Sequence, residues 1–225
     1  MATATETEKI TDEQIQREVL EELAWDPRIR PNEISVVAKD GVVALTGWVD
    51  SYTKRGAAEE AAHRVRGVKA VANEIEVRLP GAAERTDADI AAAAIQALRS
   101  DVFVPADKVD VTVSKSFVTL RGTVDWQFQK EDAEKAVRRL PGVKGVLNGI
   151  TVKPATTPSD LKKKIEEALV RSAHTDAARI TVEVHGSKVI LRGILRSWAQ
   201  RQEAERTAWS APGITEVDNR ITVAD

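Results

Sequence analysis

The stretch Gly67–Val77, GVKAVANEIEV, returns as GVKGVLNGITV at Gly142–Val152 and as GITEVDNRITV at Gly213–Val223. The copies lie 75 and then 71 residues apart, and the same offsets carry Gly47 to Gly122 to Gly193, Leu45 to Leu120 to Leu191, and Asn73 to Asn148 to Asn219. A period of this length held across a whole unit means one supersecondary unit written three times. The units span residues 8–79, 84–153 and 157–224, behind an N-terminal tail at 1–7 expected to be disordered. Short linkers join them, Pro80–Glu84 and Pro154–Pro158.

Within a unit the hydrophobic period changes in a fixed order. Asp12 is a candidate N-cap for a helix carrying Ile15, Val19, Leu20 and Leu23 on one face; Ile90, Ala94, Ile95 and Leu98 repeat the face, as do Leu161, Ile165, Ala168 and Leu169. Strict alternation follows at Ile34/Val36/Ala38 and from Val43 to Val49, with Asp40-Gly41 between as a hairpin turn. Gly186-Ser187 can make the same turn in the third unit. Ser114-Lys115-Ser116 has no glycine, which leaves the turn type of the second unit open. A second helix is expected from Ser51 to Arg66, with Ala58, Ala61, Ala62 and Val65 inward and Gly67 as a left-handed C-cap. A last strand, Val71–Val77, completes an αββαβ order. The expected fold is α+β: three tandem modules, each a three-stranded mixed sheet with two helices on one face.

The recurring glycines read as structural, Gly67, Gly142 and Gly213 ending helices and Gly47, Gly122 and Gly193 marking a bulge or a close helix approach. Asparagine is a poor strand former, so Asn73, Asn148 and Asn219 are expected to hydrogen-bond a neighbouring backbone group.

Composition narrows the function classes. The 225 residues are 42% hydrophobic and 30% charged, with only 4% aromatics, which suits a soluble α+β core of Val, Ile, Leu and Ala and not a large aromatic pocket. With no cysteine there is no disulfide framework, thiolate metal site or cysteine nucleophile. A net charge of −2 and a pI near 6.0 argue against a dedicated nucleic-acid binder. No basic-plus-apolar leader precedes the first unit and no apolar run approaches the roughly 20 residues of a membrane span, so the expected location is cytoplasmic and any membrane contact peripheral.

The L-x-G-x-V or L-x-G-x-L strand, the Ala-Glu pairs at Ala58-Glu59, Ala133-Glu134 and Ala204-Glu205, and the closing G-[VI]-x-x-V-x-N-x-I-x-V together resemble the BON domain, named for bacterial osmotic shock and nodulation. The resemblance covers nearly the whole chain. It implies a non-enzymatic αββαβ module of the kind found in envelope and periplasmic proteins, linked to osmotic stress and thought to bind phospholipid surfaces. It implies no cofactor.

No catalytic constellation is apparent. His63, His174 and His185 fall at non-equivalent places in the repeats, and no G-x-S-x-G, H-E-x-x-H or P-loop pattern occurs. Gly142-Val143-Lys144-Gly145 imitates the phosphate-clamping G-x-x-G of KH domains, but it joins a helix to a strand. The chain reads as a non-enzyme. What does recur is an aromatic and basic cluster at the corner between the second strand and the second helix: Trp48, Tyr52, Lys54 and Arg55; Trp126, Phe128 and Lys130; Trp198, Arg201, Arg206 and Trp209. Counted back from Ala133, Trp126 projects onto the core stripe, whereas Trp198 and Trp209 share a stripe that is expected to be exposed. Such groups are the ingredients of weak contact with an anionic headgroup surface. Residues 1–80 carry 11 basic and 15 acidic groups, against 11 and 10 in each of 81–155 and 156–225, so the second and third units are the better candidates. Two functions follow: multivalent weak docking on phospholipid or an envelope-associated partner, or structural assembly through contacts between modules or between copies, with self-association.

Overall fold

The computed structural model describes residues 10–153, 160–172 and 176–223; the tail at 1–7, Pro154–Pro158 and His174 lie outside the described residues. Module 1 runs α1 (Asp12–Trp25), β1 (Ile34–Lys39), β2 (Val42–Val49), α2 (Tyr52–Arg64), β3 (Ala70–Asn73) and β4 (Glu76–Val77). Module 2 runs α3 (Asp87–Ser100), β5 (Val109–Ser114), β6 (Phe117–Val124), α4 (Gln127–Arg138) and β7 (Gly145–Val152). Module 3 repeats the order as α5 (Leu161–Arg171), β8 (Ile180–His185), β9 (Lys188–Leu195), α6 (Trp198–Trp209) and β10 (Glu216–Val223). In each, the hairpin's second strand is central, antiparallel to the first strand and parallel to the last. The helix between the two parallel strands supplies the crossover that parallel pairing requires.

Each module closes its own apolar core. Ile15, Val19 and Leu23 meet Val43, Leu45 and Ala58–Ala62; the same layers recur around Leu120 and Leu191. Leu20 and Ile95 were expected inside and are exposed, because the stripe that faces the sheet is only three positions wide per two turns.

The helix start differs from expectation in a way that explains the hairpin. Thr11, not Asp12, is the N-cap, in a capping box with Gln14; Thr86 and Asp89 do the same for α3. Asp12 is thereby freed, and its carboxylate accepts the backbone N–H groups of Asp40 and Gly41 at 2.7 and 3.0 Å. Asp87 accepts those of Lys115 and Ser116, both at 2.8 Å. All four turn residues have positive φ, 54° and 78° in module 1 and 52° and 68° in module 2, the signature of a type I′ turn. Module 2 therefore builds without glycine a turn that favours glycine, and a helix carboxylate holds it.

Gly47, Gly122 and Gly193 sit mid-strand at φ 122°, 141° and 152°, where a Cβ would overlap the carbonyl oxygens of Glu33, Lys108 and Arg179. A side chain is excluded there by backbone. Gly67 does have left-handed φ, but α2 ends at Arg64 with Val65 as its extended C-cap, so the glycine serves the turn into β3 and not the helix end. The last strand of module 1 is broken after Asn73, whereas β7 and β10 are continuous.

Candidate docking surface

The repeated asparagines form one polar knot, three times over. Asn73 Nδ2 donates to the Arg55 carbonyl at 3.1 Å and to Glu59 at 2.9 Å, while its Oδ1 accepts the Ile75 N–H at 3.2 Å. Asn148 repeats this with Lys130, Glu134 and Ile150, and Asn219 with Arg201, Glu205 and Ile221. The knot ties the last strand to the second helix and accounts for both the Asn and the Glu of the Ala-Glu pairs. Arg55 and Arg201 reinforce it, donating to the carbonyls of Asn73 and Asn219. These groups are committed to the fold.

The corner residues part company. Trp48 is half-buried, with the Arg78 guanidinium 5.8 Å from its ring, and Lys54 pairs with Asp50 at 2.7 Å. Tyr52 leaves its own module and packs against the core of module 2. Trp198 lies stacked on His63 of module 1, ring centroids 4.2 Å apart and planes 12° off parallel, with Arg201 4.6 Å from its ring. Burial of His63 pushes its imidazole below the ordinary value; Arg201 acts in the same direction and Glu59 opposes it. Trp209 is half-buried against the core of module 3, and exposed Arg206 lies 3.8 Å from Glu203. The shared stripe of Trp198 and Trp209 is therefore not an open face: Trp198 is covered by His63 of module 1, and Trp209 is half-buried on its own core.

Trp126 corrects the helical projection in the opposite sense. It precedes α4 as an extended N-cap residue (φ −136°, ψ 146°), so the wheel drawn back from Ala133 does not reach it, and its ring is 38% exposed. Phe128, 45% exposed, lies 6.4 Å from it, and Phe103, 61% exposed, meets Phe128 edge-on at 6.1 Å. Val102, next to Phe103 in the chain, is 89% exposed. Three aromatic rings thus crowd one end of module 2, and only two of them belong to the corner cluster; Phe103, like its chain neighbour Val102, comes from the loop after α3. Nearby, Lys108 pairs with Asp125 at 3.2 Å and Lys135 with Asp132 at 3.0 Å, while Lys130 is half-buried.

The second helices also meet one another. The Arg138 guanidinium of α4 lies over Gly56 of α2, where a Cβ would overlap it, and pairs with Glu60 at 3.3 Å; the Arg138 carbonyl accepts the Thr53 hydroxyl at 3.4 Å. Glu60 in turn approaches Arg28, which holds buried Asp26 at 2.6 Å. Hydrogen bonding to Arg28 keeps the Asp26 carboxyl at about 2, against the desolvating effect of burial. Between α4 and α6 lies an open groove of about 510 Å³ bordered by Trp126, Phe128, Glu131, Lys135, Arg206 and Trp209.

Among the described residues no group of three His, Asp or Glu side chains is arranged to hold a metal ion, and no helix is long and apolar enough to cross a membrane. Gly145 of the G-x-x-G stretch starts β7 and leaves room for the Phe117 ring, a packing role.

The family model of the BON domain matches residues 11–78, 86–154 and 157–225. The chain is 34% identical over 146 residues to osmotically-inducible protein Y of Escherichia coli (strain K12), covering 63% of this chain and 73% of that protein. Two structures of CdsD, a structural protein of the type III secretion system of Chlamydia trachomatis, align over 96% and 92% of the chain at 12% identity and a TM-score of 0.26. At that level of superposition neither arrangement nor role carries over.

Proposed function

The chain belongs to the BON domain family, in three tandem copies, and from that premise we propose that it is a stress-related binding protein that docks weakly on anionic phospholipid surfaces through one end of module 2. Likeness to an osmotically inducible protein supports the stress assignment. The observation that carries the docking is the exposed run of touching rings Phe103, Phe128 and Trp126, with exposed Val102 next to Phe103 in the chain. Aromatic rings of about 200 Å² each, exposed to these extents, leave about 300 Å² to bury, about 7 kcal/mol at 25 cal/mol per Å². Association costs of about 4 kcal/mol or more consume much of that. The remainder describes reversible contact, and a net charge of +1 over residues 81–155 adds only about 1 kcal/mol.

Tyr52 and Trp198 are occupied by neighbouring modules, so docking through three equivalent corners is replaced by docking through one. Flotation with phosphatidylglycerol vesicles at low salt tests it. The wild type should rise with the vesicles and the Phe103→Ser/Phe128→Ser variant should stay below; a wild type that fails to float refutes the reading.

The assembly alternative is favoured by a separate observation, the contacts of α2 with α4 and α6. It describes how the modules are held to each other, and it is compatible with the docking surface.

A further inference from the structure

The contacts between second helices follow a rule that the repeat offsets expose. Tyr52, Gln127 and Trp198 are equivalent positions at the start of the helix; Gly56, Glu131 and Gln202 are equivalent one turn on; His63, Arg138 and Trp209 are equivalent at the end. Arg138 of module 2 sits on Gly56 of module 1, and His63 of module 1 sits on Trp198 of module 3. In both, the C-terminal end of one second helix seats on the N-terminal half of another. Head-to-tail contacts of one sense either close into a ring or propagate outward. The one pairing of this sense still unmade is Trp209 on the N-terminal half of α4, and those two walls face each other across the 510 Å³ groove.

We infer that the groove on α4 is an intramolecular docking site whose occupant is the C-terminal end of α6, so that the three modules close into a pseudo-threefold ring. The residues on the two walls are complementary. Phe128 offers an aromatic seat to the Trp209 indole, and Lys135, which stands where Glu60 stands in module 1, is suited to the face of an indole as Glu60 is suited to Arg138. Glu131 lies opposite Arg206. The plug and the socket have changed together: arginine with glutamate on one edge, tryptophan with phenylalanine and lysine on the other. Closure covers Phe128 and competes with lipid docking.

The chain has no cysteine, so spin labels can be placed at will. Nitroxides at Asp132→Cys and Ser210→Cys, which border the groove, report its width by dipolar coupling in the full chain without lipid, so the outcome is independent of whether vesicles bind. The expected result is a population with the labels at contact distance that is lost in the Phe128→Glu variant, with far-UV circular dichroism unchanged. Lys135→Glu acts on the same seat and serves as the second variant. A single wide separation in the unsubstituted background, or a close population indifferent to both substitutions, overturns the inference.

Discussion

Replacing Gly56 by alanine sets two effects of similar size against each other. Glycine in a helix interior costs about 1 kcal/mol relative to alanine, and α2 carries Gly56 at its fifth position, so the substitution should stabilise module 1 by that amount. The new Cβ, however, would occupy the space of the Arg138 guanidinium. That group is the free end of a flexible side chain and can move, at the loss of its pair with Glu60 and of packing against α2. A half-exposed pair of this kind is worth about 0.2 to 1 kcal/mol, and lost packing adds to it. The gain and the loss should therefore nearly cancel when Arg138 is present. In an Arg138→Ala background nothing opposes the gain, and Gly56→Ala should stabilise by the full amount of about 1 kcal/mol, several degrees in Tm for a domain of this size. The four chains of the double-mutant cycle, compared by urea midpoints, isolate the coupling as a difference of about 0.5 to 1 kcal/mol. Equal gains in the two backgrounds would mean that Arg138 does not hold the α2 seat, and the packing rule between modules would fall with it.

Three further variants probe module stability. Asp26 is held at about 2 from an ordinary 3.8, so its contribution is present above pH 3.8 and is lost as the pH falls from there toward 2. Because Arg28 is about half exposed, the contribution is about 1 to 2 kcal/mol; Asp26→Asn should lose it at neutral pH and show a flatter acid limb in urea unfolding between pH 4 and pH 2. Asp87→Ala removes both bonds to the positive-φ turn and should cost module 2 about 2 kcal/mol, whereas Lys115→Asn/Ser116→Gly should gain about 1 to 2 kcal/mol by relieving the left-handed strain. Thermal unfolding checks both signs, and a neutral Asp87→Ala would show that the turn holds itself.

The module was legible in the sequence because its determinants must be repeated to make the fold three times. Gly47 and its equivalents leave room for a carbonyl oxygen, the asparagines tie strand to helix, and Leu45 and its equivalents fill the cores. Each is a requirement internal to a unit. The packing between modules was not legible for the complementary reason. His63, Arg138 and Trp209 occupy equivalent places yet differ in kind: His63 stacks on Trp198, Arg138 sits on Gly56, and Trp209 packs on its own module's core. Periodicity also misled at the helix margins. Asp12 resembled a cap but is one residue inside the helix, and Trp126 was assigned a helical direction although its backbone is extended. Val102 and Phe103 carry no repeat signal; an apolar pair in a connecting loop was the available clue.

The contrast between knots that are copied and seats that are not gives the order of the modules a meaning of its own. A shuffled chain, with the second unit placed first, would retain every asparagine tie and every core and so would still make three sound modules. Its plugs would nonetheless be strung on linkers of the wrong succession. Divergence among the copies has thus fitted Arg138 to Gly56 and His63 to Trp198, so that otherwise interchangeable beads carry neighbour-specific marks.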